Sequence, residues 1–364
     1  MVRPRQPGDP HAPAEGLDAL LEAAGTAFEA GRTEEALERA EAAAARDPRS
    51  VPALHYRAAA LAELGRIDEA RDAYEAALAR GRDDLDLLAG AADFYVNVLP
   101  DDDDADREAL DRGIALARRG ARLAQKAGEP ELTADLQLVE AIALNQLGLA
   151  TEALERLASA ERGQPERVEV LLEKGFALYE LSRLDPARAV LLRAEALDPE
   201  EPWTQHTLGL IAERRGEEEE ARRRFARARK LAPDEFPRPV ALAPEAFDAA
   251  VEDALASLPE PVRRYLSNVA ITVEDLPSDD DLLAADPPLS PAILGLFRGA
   301  PYGQKASMDP WSHFPSSIVL YQKNLERFAR SRAELIEQIG ITLIHEVGHF
   351  LGLDEEELWA RGLD

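Results

Sequence analysis

Cysteine is absent from the 364 residues, which excludes disulfides, thiolate metal ligands and a cysteine nucleophile. Its absence is compatible with a reducing compartment, and the expected location is the cytoplasm. No stretch approaches the ~18 uninterrupted apolar residues of a membrane span. Residues 1–16 are proline-rich and polar with no apolar h-region, so they read as a disordered lead-in and not a signal peptide. Positive charge is scarce: 42 Lys plus Arg stand against 70 Asp plus Glu, a net charge of −28. Such a surface repels nucleic acid and anionic membranes, and neither is an expected partner.

What the chain does have is a period. Gly31 and Gly65 stand 34 residues apart, as do Gly148, Ser182 and Gly216. Pro165, Pro199 and Pro233 keep the same step, and Pro48 stands where a first unit should end. Small residues recur at fixed offsets: Ala24, Ala36 and Ala43, then Ala58, Ala70 and Ala77, with Ala141, Ala153 and Ala160 later. Gly175, Ala187 and Ala194 follow, then Gly209, Ala221 and Ala228. A 34-residue period with small residues where paired helices touch resembles the tetratricopeptide repeat. The resemblance covers residues 17–235 and implies an all-α solenoid whose groove takes a protein partner. Phe176, Tyr179, Trp203 and His206 fall on first helices and are candidates to line the groove; the simpler reading is packing between repeats for the aromatics and an incidental surface position for His206.

The register is lost between about residues 85 and 130. Residues 85–100 read as a first helix, and the acidic run 101–106 interrupts before a long helix to about Ala127. That run lacks the glycine of a calcium loop and suits a solvated helix start. In the last repeat Glu218, Glu219 and Glu220 each precede an arginine by four residues, so Arg222, Arg223 and Arg224 are already partnered and make no nucleic-acid patch.

Pro237 and Pro239 stiffen a linker at 236–243, after which 244–364 reads as a second, smaller domain. Helices are predicted at 244–257 and at Val262–Leu266. Strands are predicted at 269–275, 293–299 and 316–323, with a loop through the acidic, proline-rich 277–290. A short helix at 325–330 leads into Ser331–Asp354. Ser331 and Glu334 have capping-box spacing, and the run of Leu, Ile, Val and Phe that follows predicts a helix buried all round.

Into that helix are set His345, Glu346 and His349. At ~100° per residue, His349 lies about 40° around the axis from His345 and one turn on, so two imidazoles converge on one ion. Glu346 lies about 60° from His349, within reach of a water on that ion without binding it. This is the H-E-x-x-H arrangement of zinc hydrolases, in which zinc lowers the pKa of a water towards ~7 and the glutamate takes its proton. A third protein ligand is required. Gly352 suits a left-handed turn that folds the chain back. In the extended motif the third ligand falls on Glu355, with Asp354 as the near alternative.

The order from Ala246 to Leu358, with the GLFRG and SSIVLYQKNLER strands ahead of the motif helix, is similar to a small bacterial zincin-like metallopeptidase family. The resemblance runs from about 243 to 364. It implies an α+β core with a sheet over the active-site helix and an edge strand facing substrate, with His345 and His349 as Zn2+ ligands and Glu346 as general base. The family's third ligand is usually Asp, where this chain has Glu355. If Ile318–Tyr321 is the edge strand, its backbone can pair with an extended peptide. Tyr321, Tyr302 and His313 are the candidates for a transition-state donor.

The expectation is a two-domain chain: an all-α tetratricopeptide solenoid followed by a small α+β zincin-like domain. Its expected function is zinc-dependent hydrolysis of a peptide or protein substrate, with the repeats recruiting substrate or partner. The alternative is a protein–protein interaction scaffold whose zincin domain binds metal but is catalytically silent.

Overall fold

The computed structural model describes residues 16–99, 103–266, 269–299, 317–353 and 357. The chain forms two compact units, residues 1–165 and 166–364. In the first unit, helices α1 (Leu17–Glu29) and α2 (Thr33–Arg46) pair, as do α3 (Val51–Glu63) and α4 (Ile67–Leu78). Next come α5 (Leu85–Asp93), a π-helical turn at Phe94–Val98, and α6 (Asp103–Ala127). The helices α7 (Pro130–Gln146) and α8 (Ala150–Gly163) close the unit. Ala24, Ala36, Ala43, Ala58, Ala70 and Ala77 are fully buried, so the recurring small residues mark where helices touch. The period fails where α6, at 25 residues, outruns the second helices of other pairs, such as α2 at 14.

The conserved step of the repeat is a turn. Gly31, Gly65 and Gly148 each hold a left-handed φ near 70° (67°, 70° and 71°). That conformation costs a side chain about 1–2 kcal/mol and glycine almost nothing. In the second unit the same place is taken by Ser182 at φ 55° and Gly216 at φ 71°.

The second unit opens with two more pairs, α9 (Val168–Glu180) with α10 (Leu184–Leu197) and α11 (Pro202–Arg214) with α12 (Glu218–Leu231). Here the small residues are obligatory. A Cβ on Gly175 would stand 2.4 Å from Leu191 Cγ, and one on Gly209 would stand 2.8 Å from the Phe225 ring. The remainder comprises α13 (Pro244–Ser257), α14 (Glu260–Leu266), β1 (Ala270–Glu274), α15 (Asp279–Leu282), β2 (Gly295–Arg298), β3 (Ser317–Tyr321), α16 (Gln322–Phe328) and α17 (Arg332–Leu351). The single turn α15 was not foreseen in the acidic loop; Ser278 caps it by accepting from the Asp281 N–H.

The three strands stand in the order β1-β3-β2. β1 runs parallel to β3 in the register Ala270↔Ser317 to Glu274↔Tyr321, and β2 runs antiparallel with Gly295↔Leu320 and Arg298↔Ser317. Ile318–Tyr321 is therefore the central strand and not an edge. All four of its side chains are 0% exposed, as expected of a continuous apolar run covered on both faces. Ile318 and Leu320 join Leu335, Ile339, Leu343 and Val347 of α17, with Phe247, Ala250 and Ala254 of α13, in one core.

The proline-rich segment before α13 is fastened to α16. Val240 N–H donates to the Glu326 carbonyl at 3.1 Å, and Leu242 N–H donates to its carboxylate at 2.8 Å. Within this unit α11 is tied to the sheet-bearing region as well. The Arg214 side chain, 5% exposed, donates to Pro277 O at 3.0 Å and to Asp279 at 2.8 Å. Arg327 of α16 pairs with Glu213 at 2.6 Å. Among the described residues no helix is long and apolar enough to cross a membrane.

Candidate metal centre

The site is built on α17. Ser331 caps it by accepting from the Glu334 N–H at 3.1 Å, and the Glu334 carboxylate accepts from the Arg330 N–H at 2.8 Å, one residue earlier than a strict capping box would use. Leu335, Ile339, Leu343 and Val347 recur every four residues and form the buried stripe. The helix is not buried all round: Ile341 is 39% exposed and Glu337 faces solvent. The sheet and α13 cover its buried stripe, and Glu337 and Ile341 lie on its exposed face.

His345 and His349 are half-buried, one turn apart. Their Nε2 atoms stand 3.1 Å from each other, and the rings meet edge-on at 83°. Beyond them Gly352 ends the helix at φ 91°, ψ 19°. Leu353 N–H then donates to the Gly348 carbonyl at 3.1 Å, the bond that reverses a chain at a left-handed stop. The reversal carries the Leu353 carbonyl to within 3.2 Å of His349 Nδ1. A carbonyl only accepts, so Nδ1 is the donor of this bond, and in the neutral ring that leaves the Nε2 lone pair for an ion. Metal-bound histidines are oriented by this kind of backbone bond.

Two nitrogens each about 2.0–2.1 Å from one tetrahedral zinc stand roughly 3.3–3.4 Å apart. The pair fits that requirement with a shift of a few tenths of an ångström. Glu346, 5% exposed, packs under β2. A Cβ on Gly295 would stand 2.6 Å from Thr342 Cγ2, 3.2 Å from the Val319 carbonyl and 3.4 Å from Glu346 Cγ. The bare backbone of Gly295 is what lets β2 lie directly over the glutamate. The sequence held a signal for this, since a glycine inside a strand marks close approach of another group.

Tyr321 is not brought to this face. Side chains alternate along β3, and Ile318 and Leu320 are the ones that meet α17. Tyr321 points through the opposite face, fully buried, with its hydroxyl 3.4 Å from Asp281. Burial and the Asp281 charge raise its pKa well above the usual phenol range. Around it Arg298 of β2 clamps two acids, Glu274 of β1 at 2.7 Å and Asp281 at 2.8 Å. Burial by itself would raise the Asp281 carboxyl, but the bonds from Arg298 and Ser278 outweigh it and hold the group below its ordinary range. This clamp pins the strand that roofs Glu346; nothing in the linear sequence joins its three members.

Glu355, Asp354, Tyr302 and His313 lie outside the described residues. Among the described residues no group of three His, Asp or Glu side chains gathers as a metal site. The aromatics of the first helices pack: Tyr179 is buried, and His206 lies among Trp203, Phe225 and Phe236.

A family model described as zincin-like metallopeptidase matches residues 266–363, a span that takes in all of β1 to α17. A tetratricopeptide repeat model matches residues 27–97. The chain joins tetratricopeptide repeats to a zincin-like metallopeptidase domain. Among solved structures, PilF of Pseudomonas aeruginosa superposes with a TM-score of 0.50 at 18% identity, over 64% of this chain and 96% of its own. PilW, a type IV pilus biogenesis factor, superposes with a TM-score of 0.51 at 16% identity, over 60% of this chain and 94% of its own. At such identity the likeness is one of fold. No curated protein matches the chain.

Proposed function

We propose that the zincin-like domain is a zinc-dependent peptidase and that the repeats present a protein substrate or partner to it. The observation that carries the reading is the pair of Nε2 atoms 3.1 Å apart, one of them with its tautomer fixed by the Leu353 carbonyl. His345 and His349 would hold the zinc, with Glu355 or Asp354 as third ligand. Zinc held there supplies Lewis acidity that activates water near neutral pH. Glu346 is the general base: it accepts a proton from the attacking water and delivers it to the departing amine. Its burial beneath β2 keeps competing solvent from the carboxylate.

The outer edge of β2 supports an extended peptide as substrate. With β3 central, β2 stands at one end of the described sheet, over Glu346, and a peptide strand added beside it would bring its own carbonyls past the base. Tetratricopeptide repeats point to protein–protein interaction, which matches a proteinaceous substrate. Glu346→Gln keeps the shape and removes the base. Hydrolysis of an unfolded protein should fall by at least ~100-fold while zinc content by elemental analysis stays at wild-type level. Undiminished hydrolysis by that variant would remove the mechanism.

A further inference from the structure

Between β1 and β2 the chain leaves the sheet for residues 275–294, and helices of the last repeats hold it on the way. Near the start of this segment Arg214 of α11 reaches the buried Pro277, donating from Nη1 to its carbonyl at 3.0 Å and from Nη2 to Asp279 at 2.8 Å. Near its end the Glu180 carboxylate of α9 is bonded by the Ser290 side chain. Asn324 of α16 then donates to the carbonyls of Pro291 at 2.9 Å and Ile293 at 2.8 Å, next to where β2 begins. Leu289 N–H donates to the Leu282 carbonyl at 2.9 Å, which closes the two arms of the segment on each other.

The contacts run on from the repeat to the metal centre. Asp279 opens the single turn α15, and Asp281, two residues on, is the acid that Arg298 of β2 clamps at 2.8 Å. Arg298 stands three residues along β2 from Gly295, whose bare backbone lies over Glu346. Exposure decides which bond of Arg214 matters. Asp279 is 76% exposed, so water screens its ion pair with Arg214 and that bond contributes little. The Arg214 side chain is 5% exposed, and a guanidinium so buried carries a desolvation cost that only well-made bonds offset. An apolar side chain would pack there without that cost, but it could not hold the Pro277 carbonyl. The bond to backbone is what keeps α15 in place.

We propose that Arg214, on a repeat helix, is a positioning residue for the metal centre: through Pro277, α15 and Arg298 it sets how β2 lies over Glu346. The role of Glu346 is the one it has in the proposed peptidase, and the inference rests on that reading. It makes the last repeat a working part of the hydrolytic domain and not only a recruiter joined to it. A shift of α11 then reaches the roof of the base through contiguous contacts.

The test compares the full-length wild type with Arg214→Met, which keeps an aliphatic stem and loses the donors, and with Arg214→Lys, which restores one. Hydrogen exchange read by mass spectrometry is measured first, on the metal-free proteins. In Arg214→Met, peptides from 276–290 and from β2 should exchange about tenfold faster while α13, in the same core, keeps its wild-type rate. Arg214→Lys should recover part of the protection, and should the methionine variant not fold, the lysine variant carries the same comparison. Hydrolysis of an unfolded protein is then measured at equal zinc content. Arg214→Met should lose at least about tenfold in kcat. Asp281→Asn acts on the same chain of contacts, so the double variant should be no slower than the slower single one. Wild-type exchange in β2, faster exchange shared equally by α13, or losses that multiply in the double variant would each overturn the proposal. A wild-type chain that hydrolyses nothing would instead end the peptidase reading, and the exchange measurement would still decide whether Arg214 holds β2.

Discussion

The Nδ1–H of His349 donates to the carbonyl oxygen of Leu353 across 3.2 Å, so a turn outside the helix decides which ring nitrogen faces His345. The turn exists because Gly352 takes φ 91°. Spacing within H-E-x-x-H brings the two histidines to one face, but the tautomer is set by the residues that follow.

Gly352→Ala should therefore damage metal binding without touching a ligand. Alanine in a left-handed conformation costs about 1–2 kcal/mol. The strain is relieved by opening the turn, which withdraws the Leu353 carbonyl from His349. Loss of such an outer partner typically lowers metal affinity about 10–100-fold. Competition against a chelator should show a fall of that order, whereas Glu346→Gln should bind zinc like wild type. Unaltered affinity in Gly352→Ala would mean that the ring is oriented by something else.

The contrast between what was legible and what was not follows from how far each feature reaches along the chain. Local signals read well. The 34-residue step located the turns at Gly31, Gly65, Gly148, Ser182 and Gly216, and the prolines and β-branched runs located β1, β2 and β3 to within a residue or two. Strand order did not read, because Ile318–Tyr321 and Gly295–Arg298 are both short and apolar, and only the fold decides which lies inside. The side taken by Tyr321 did not read for the same reason: alternation places it on one face, but which face meets α17 is a tertiary fact. The clamp of Arg298 on Glu274 and Asp281 joins three elements, and the attachment of Glu326 to the proline-rich segment spans 84 residues.

The Arg298 clamp predicts a pH dependence with a definite sign. Asp281 is held below its ordinary range in the folded chain, where Arg298 and Ser278 bond its ionised form. A lowered folded pKa contributes stability that is complete above the unfolded value, about 4 for an aspartate, and is lost as pH falls through the folded value. Asp281→Asn should thus be less stable than wild type at pH 7. The gap between the two should close as pH drops below about 4. Urea titrations of both proteins at several pH values check this, and a gap that is constant with pH would remove Asp281 from the account.

The repeat carries a stability defect that can be repaired. Ser182 stands where Gly31, Gly65, Gly148 and Gly216 stand in the other pairs, and it alone among the described residues carries a side chain at positive φ, 55°. Its hydroxyl is also buried without a hydrogen-bond partner among those residues. Ser182→Gly removes a left-handed penalty of about 1–2 kcal/mol and an orphaned oxygen, against about 0.4–1 kcal/mol of added freedom in the unfolded chain. The balance favours the glycine by about 1 kcal/mol, read as a higher urea midpoint with an unchanged slope. Ser182→Ala separates the two contributions. It discards the hydroxyl but keeps the strained backbone, so it should recover only part of the gain. If it equals the glycine variant, the buried oxygen and not the conformation is the source of the cost.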